Sequence, residues 1–172
     1  CTDERVNMVT PALFKRYPTP AALARAVPAE LEEIIRSTGF FRAKAKSLMG
    51  CARALADEHG GEVPRELAML VKLPGIGRKT ANVVLGHAYD IAEGVAVDTH
   101  VLRVSNRPGI AKGDDPIKVE QQLMALVPQR RWTRTTDLLI FHGRKICDAR
   151  RPLCGGCPVF DLCRWKHRQA YA

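Results

Sequence analysis

Four cysteines stand within 17 residues near the end of the printed sequence, and cysteine thiolates are strong metal ligands. Their spacing is Cys147-x₆-Cys154-x₂-Cys157-x₅-Cys163. All-sulfur coordination suits either a tetrahedral zinc ion or a [4Fe–4S] cluster. Zinc ribbons use two short Cys-x₂₋₄-Cys pairs set well apart, whereas this sequence has one short pair and uneven outer gaps. The spacing favours the iron–sulfur cluster and leaves zinc open.

Lys79 is a second residue whose position suits chemistry. It falls in the first turn of a predicted helix beside Arg78, where the helix dipole and the neighbouring cation both disfavour the ammonium form. A neutral amine is a nucleophile that forms a Schiff base at a carbon of carbonyl oxidation level. A role as an ordinary surface lysine fits the same residue, so both interpretations stay open.

Asp98 is a candidate carboxylate with an evident structural role. It precedes Thr99, where a helix is predicted to begin, and aspartate is favoured at the N-cap of a helix. His100 follows within the first turn, and a lone histidine there is more often structural than catalytic. N-capping is therefore the first expectation for Asp98.

The segment Leu73-Pro74-Gly75-Ile76-Gly77 joins two amphipathic stretches. Its two glycines allow the backbone to turn through positive φ. Successive N–H groups can then point outward together at the positive end of the next helix, which makes a nest for a phosphate oxygen. An ordinary helical hairpin with glycine at the helix C-cap is the alternative.

The elements that must position these residues are helical. Apolar residues follow the i, i+3, i+4, i+7 rule through Phe41–Gly60 and in shorter segments along the chain. Thr19-Pro20, Val27-Pro28 and Asp115-Pro116 are helix-start signals. No alternating strand pattern of useful length occurs. We predict an all-α protein of about nine short helices, with its main seam at Asp90–Val95.

Charge is concentrated in one part of the 172-residue chain, whose net charge is +9. Residues 1–128 hold 17 basic and 15 acidic side chains, whereas residues 129–172 hold 10 and 3. Such a basic block indicates a polyanionic partner, and nucleic acid is favoured over a membrane surface. A basic face that is simply solvated fits the same charge distribution equally well. No apolar run approaches the roughly 18 residues of a membrane span. We therefore expect a soluble, non-secreted protein.

Three sequence signatures together resemble the endonuclease III family of DNA glycosylases. Residues 73–84, LPGIGRKTANVV, are similar to the family's helix-hairpin-helix, and residues 97–104, VDTHVLRV, to its second signature. His142-Gly143 and the four cysteines match the third. The resemblance runs from Cys1 to the last cysteine and makes the [4Fe–4S] cluster a strong expectation.

The resemblance also implies an architecture. Residues 1–92 would form a helical lobe that contains the helix-hairpin-helix (64–89) and lacks its N-terminal part, because the sequence begins at Cys1. Residues 93–172 would form a smaller iron–sulfur lobe held by Cys147, Cys154, Cys157 and Cys163. Double-stranded DNA would bind in the cleft between the two lobes.

The implied activity is that of a bifunctional glycosylase and abasic-site lyase in base excision repair. Lys79 would attack C1′ of the damaged nucleotide, release the base and nick the strand by β-elimination. Asp98 would stabilise positive charge on the sugar and help to activate Lys79. The substrate would be DNA with an oxidised pyrimidine or an abasic site, and we expect a monomer acting at the nucleoid in the cytoplasm.

The resemblance also suggests residues that contact DNA. In the family, a bulky residue that follows the glycine matching Gly39 wedges into the duplex when the nucleotide leaves the base stack. The residue at this position is Phe40. The alternative for Phe40 is packing in the core beside Phe41. The cluster would fix the loop at 148–153 rather than perform chemistry. The other expected contacts are the hairpin residues Leu73, Gly75, Gly77 and Arg78, the cleft-lining His100, and the basic residues Arg144, Arg150 and Arg151.

Two other functions stay open at this point. One is a monofunctional mismatch or adenine glycosylase of the same superfamily, against which Lys79 counts, because relatives without lyase activity usually have another residue there. The other is a non-catalytic iron–sulfur module that binds DNA. Product analysis on a damaged duplex separates all three.

Overall fold

The computed structural model describes all 172 residues, and its regular structure is entirely helical. This confirms the prediction of an all-α protein of about nine helices. Four short 3₁₀ segments, at Arg36–Thr38, Gln129–Arg131, Cys154–Gly156 and Arg168–Tyr171, complete the regular structure. The α-helices are α1 (Asp3–Arg16), α2 (Pro20–Ala24), α3 (Pro28–Ile35), α4 (Phe41–Glu58), α5 (Leu67–Leu70), α6 (Arg78–Ala88), α7 (Thr99–Asn106), α8 (Pro116–Leu126) and α9 (Trp132–Lys145).

The predicted helix starts are confirmed at three prolines. Helices α2, α3 and α8 each begin with proline at the first helical position, where no intrahelical N–H bond is lost. The Thr19 hydroxyl accepts a hydrogen bond from the Ala22 N–H at 3.1 Å, and the Asp115 carboxylate accepts one from the Ile117 N–H at 2.8 Å. Local chemistry thus sets these helix boundaries.

The chain divides into two compact units, Cys1–Gly77 and Arg78–Ala172. The lobes that the family resemblance implies, 1–92 and 93–172, stay a prediction. No helix has the length and apolar character needed to span a membrane.

The core of the first unit is built on one face of α4. Ala45 and Ala52 lie seven residues apart on that face and are almost fully buried, so their small side chains let α2 and α3 pack closely. Leu31 of α3 is fully buried among them. The remaining buried members of this core are Leu13, Tyr17, Leu23, Ala26 and Ile35.

The core of the second unit surrounds an extended segment between α6 and α7. Residues 94–97 of this segment are all buried, and the Ala96 N–H donates to the buried Thr136 hydroxyl of α9 at 3.0 Å. Val95 and Val97 pack with Val101 of α7 and Val119 of α8. Because this segment leads directly to Asp98, its burial fixes the place where α7 begins.

An apolar groove of about 750 Å³ lies on the second unit. Its lining includes the exposed side chains of Leu138, Phe141 and Leu162. Leu138 and Phe141, about one turn apart on α9, present their apolar side chains outward. The monomeric state itself stays a prediction.

The turn at 73–77 combines proline and glycine in the manner of a type II β-turn. Pro74 and Gly75 occupy its central positions, Gly75 has φ +80°, and the Ile76 N–H donates to the Leu73 carbonyl at 3.1 Å. A Cβ on Gly75 would stand 2.7 Å from Cβ of Ser47 in α4. Gly77 does not adopt positive φ, so the expectation of two left-handed glycines is correct for Gly75 only.

We predict that Gly75→Ala lowers the free energy of unfolding by about 1–3 kcal/mol, because it adds both backbone strain and a clash with Ser47. Gly77→Ala is the matched control, since a Cβ there meets nothing within 4 Å, and it should change stability by less than about 0.5 kcal/mol. Urea unfolding followed by circular dichroism measures both. Equal losses would contradict this account of the turn.

Candidate active site

Lys79 is the second residue of α6 and is exposed to solvent. It forms no ion pair, and the N–H groups of Gly75 and Gly77, immediately before α6 in the chain, have no acceptor within the protein. Leu73 is buried, so any contact it makes with DNA must use its backbone. The amine and the two glycine amides are therefore available to a ligand.

Arg78 is held by a buried carboxylate from α8. Its guanidinium donates to the two Glu120 oxygens, from Nε at 2.6 Å and from Nη2 at 3.1 Å. These hydrogen bonds raise the pKa of Arg78 above its ordinary value. The side chain remains 42% exposed, but its donors to Glu120 are committed, and DNA contact by Arg78 stays a prediction.

Asp98 caps α7, as the sequence predicts. Its Oδ1 accepts hydrogen bonds from the N–H groups of His100 and Val101, both at 2.8 Å. The other oxygen, Oδ2, accepts no hydrogen bond from the protein, and the residue is half-buried. The carboxylate thus stabilises the helix with one oxygen and keeps the second for a ligand.

Helix α7 is tied to α9 by Arg103. Its guanidinium donates to the Gly143 carbonyl at 2.9 Å and the Cys147 carbonyl at 3.0 Å. Nη2 also lies 3.1 Å from Nδ1 of His100, which orients that imidazole. A Cβ on Gly143 would stand 3.0 Å from the Cβ of His100, so the two helices approach closely because position 143 is glycine.

Phe40 projects into solvent from an unusual backbone conformation. It has φ 47° and ψ 31°, in the left-handed region, and it is 90% exposed. Core packing, the alternative raised from the sequence, is therefore excluded for Phe40, whereas Phe41 packs against the core of the first unit. A left-handed aromatic residue costs roughly 1–2 kcal/mol, and such strain clusters at functional sites.

The four C-terminal cysteines line one small cavity, together with Arg107, His142 and Trp165. None forms a disulfide, and burial together with the three neighbouring thiols raises the pKa of Cys154. No three metal-binding side chains converge on a point suited to a single ion. Four thiols without disulfides around one cavity suit an all-sulfur metal centre.

The loop after Cys147 is held in a fixed shape. The Asp148 carboxylate accepts hydrogen bonds from the N–H groups of Arg150 and Arg151 at 2.8 and 2.9 Å, which lowers the pKa of Asp148. Arg107 of the α7 C-terminus donates to the Asp148 carbonyl at 2.6 Å and stacks over Trp165, 4.2 Å from its ring centroid. Arg150 and Arg151 are consequently displayed at the surface, as is Arg144 at the end of α9.

The supporting contacts of two further residues could not be predicted from the sequence. Glu120 falls on the apolar face of α8 with Leu123 and Val127, and an acid on such a face signals a buried cationic partner. Arg107 lies outside the basic block at 129–172, and nothing local to it predicts its bonds to the cysteine loop.

Family models match two segments that together make up most of the chain. The model described as "HhH-GPD superfamily base excision DNA repair protein" matches residues 1–129, and the "Iron-sulfur binding domain of endonuclease III" matches residues 147–163. Endonuclease III of Synechocystis sp. is 55% identical over 95% of this chain and 74% of its own length. Endonuclease III of Escherichia coli is 41% identical over 97% of this chain and 79% of its own length.

Solved structures give the same result. A trapped endonuclease III–DNA covalent intermediate has a TM-score of 0.93 and 44% identity, and it covers 99% of this chain and 80% of that one. A thermostable thymine-DNA glycosylase has a TM-score of 0.79 and 26% identity, over 95% of this chain and 77% of that one.

The helical fold and the cysteine site define a base excision DNA repair protein of the helix-hairpin-helix superfamily. Within that superfamily, the chain belongs to the endonuclease III family. It is accordingly a DNA-binding enzyme with glycosylase and abasic-site lyase activity, and its cofactor is a [4Fe–4S] cluster.

We predict that Cys154→Ser abolishes the cluster, because a serine hydroxyl replaces the most buried of the four thiols. Purified protein should lose its iron, its acid-labile sulfide and its visible absorbance. Cys51→Ser is the matched control, since Cys51 lies on α4 outside the cavity, and it should keep all three signals. Full iron content in Cys154→Ser would contradict the assignment of Cys154.

Proposed function

We propose that this enzyme removes oxidised pyrimidines from double-stranded DNA, with Lys79 as its nucleophile and Asp98 as the carboxylate that assists it. The observation that carries the proposal is an exposed, unpaired lysine in the first turn of α6, in the same unit as a carboxylate with a free oxygen. The relative solved as a trapped covalent DNA intermediate supports a mechanism in which a protein atom bonds to DNA.

The covalent steps balance without an oxidant or a reductant. Nζ of Lys79 forms a bond to C1′ as the bond from C1′ to the base breaks, and the base leaves with that electron pair and takes up a proton. Opening of the sugar between C1′ and O4′ then gives an imine between Nζ and C1′. Loss of a proton from C2′ expels the 3′ phosphate and nicks the strand, and water finally hydrolyses the imine.

Asp98 assists this sequence through its uncommitted oxygen. Positive charge develops on the sugar as the base departs, and a carboxylate nearby stabilises it. The same oxygen can accept the proton that Nζ loses after attack. Because Oδ1 is bound to two backbone N–H groups, the orientation of Oδ2 is set by the start of α7.

The proposed DNA contacts divide into those that hold the backbone and one that enters the stack. The free amides at Gly75 and Gly77 suit phosphate oxygens, and the exposed Arg144, Arg150 and Arg151 add cationic contacts that read no sequence. Phe40 suits the role of wedge because an apolar ring held out in solvent can replace a flipped nucleotide. His100, oriented by Arg103, would line the nucleotide site.

The cysteines proposed to hold the [4Fe–4S] cluster are Cys147, Cys154, Cys157 and Cys163, and its contribution is structural. Base removal and β-elimination transfer no net electrons, so the chemistry needs no redox step. Bound to these four thiolates, the cluster would hold the chain after α9 to the segment at 154–163 and so would support the loop that displays Arg150 and Arg151. We further propose that the enzyme acts as a monomer on chromosomal DNA, at the nucleoid in the cytoplasm.

We predict that borohydride leaves a covalent protein–DNA band with the wild type and none with Lys79→Ala, because only the imine at Lys79 is reducible to a stable amine. The assay uses duplexes that carry one abasic site or one oxidised pyrimidine. Lys118→Ala, at an exposed lysine of α8, is the matched control and should trap like wild type. Base release with an intact strand and no band would identify a monofunctional glycosylase, and binding without either product a non-catalytic module.

We predict that Asp98→Asn keeps the fold and lowers single-turnover base excision by about 10²–10⁴-fold, because asparagine caps α7 equally well but cannot take a proton or carry negative charge. Asp115→Asn makes the same change at the N-cap of α8 and should leave both stability and rate near wild type. Thermal unfolding and rapid-quench kinetics measure the pair of variants. A rate loss shared by both would refute a specific role for Asp98.

A further inference from the structure

We propose that Glu120 is a positioning residue for Lys79: it fastens the first turn of α6 to α8 and so fixes the place from which the amine attacks. The inference deepens the proposed function and rests on Lys79 being the nucleophile. Glu120 lies in the second unit with Lys79 but belongs to a different helix, and it has no contact with the cysteine cavity.

The carboxylate of Glu120 binds two residues of α6 that flank Lys79. Arg78 donates to both of its oxygens, and Nδ2 of Asn82 donates to Oε1 at 2.9 Å. Arg78 and Asn82 are four residues apart and therefore share one face of the helix. The nucleophile stands between two residues that are held by the same group.

The burial of Glu120 shows that this contact is built into the fold. Only 5% of its side chain is exposed, and a buried carboxylate is costly unless a cation and hydrogen bonds match it. The backbone at Gly94 lies directly against the Glu120 carboxylate. A Cβ at this position would overlap Oε1 of Glu120 and would lie 2.6 Å from Nδ2 of Asn82. The buried segment before Asp98 is thus shaped around the same carboxylate.

The first turn of α6 needs such an anchor. Lys79 is only the second residue of the helix, and first-turn N–H groups lack intrahelical acceptors, so helix ends fray. A displacement of about 1 Å at a reacting group is enough to cost about 100-fold in rate. An anchor on either side of Lys79 restricts its backbone while leaving its side chain exposed to DNA.

A cavity of about 40 Å³ adjoins this anchor and is lined by Lys79, Asn82, Ile117 and Glu120. Removing the carboxylate would therefore leave Arg78 without its partner next to space into which the turn can relax. The expected result is a misplaced amine in a protein that still folds and still binds DNA.

The experiment compares Glu120→Gln with Glu93→Gln under single-turnover conditions on abasic-site DNA, with borohydride trapping as the readout. Glu93 is exposed and interacts with Arg78 electrostatically, without a hydrogen bond. Glu93→Gln therefore removes one negative charge, as Glu120→Gln does, but leaves the hydrogen bonds of Glu120 intact. Affinity is measured separately with a non-cleavable abasic-site analogue. Cluster absorbance and circular dichroism report the folded fraction.

We expect Glu120→Gln to lower the saturating trapping rate by about 10- to 100-fold, with affinity for the analogue changed less than about threefold and cluster absorbance retained. Glu93→Gln should remain within about twofold of wild type. Glu120→Asp keeps the charge but is one methylene shorter, so it should fold even if Glu120→Gln does not, and its rate should also fall without a matching loss of affinity.

Three results would overturn the inference: a folded Glu120 variant that traps at the wild-type rate, a loss of rate matched by an equal loss of affinity, or an equal rate loss in Glu93→Gln. Failure of the wild type to form any adduct is a different outcome, because it refutes Lys79 as the nucleophile and thus the proposed function itself.

Discussion

Helix α7 has eight residues, too few for a helix to be stable alone, so polar side chains secure it along its length. Asp98 bonds the backbone N–H groups at its start. Arg103 and Arg107 bond carbonyls at 143 and at 147–149. The same few hydrogen bonds therefore place both the proposed catalytic carboxylate and the loop beside the cysteines.

The parts of the fold that the sequence predicted are those determined within a few residues. Proline after a capping residue gave the starts of α2 and α8, and apolar periodicity gave α4 nearly to its ends. The N-cap at Asp98 was predictable because the capped N–H groups are two and three residues away. The cysteine spacing likewise predicts an all-sulfur site, because all four thiols fall within 17 residues.

The parts that could not be predicted depend on residues far apart in the chain. Glu120 and Arg78 are 42 residues apart in the chain, and only the tertiary structure brings their side chains together. Phe40 and Phe41 are identical in type, yet backbone conformation sends one outward and one into the core. Composition predicts where the basic block lies in the chain. It does not predict which arginines bind protein carbonyls, because those contacts depend on the tertiary structure.

All nine α-helices precede the four clustered cysteines in the chain. Synthesis runs from the N-terminus, so Lys79 and Asp98 leave the ribosome before any of those cysteines. The metallocentre must therefore be assembled after the helical scaffold is made, by closing a short segment of chain over iron and sulfide. Assembly of the cluster is thus a late step, which can begin only once all nine helices have been synthesised.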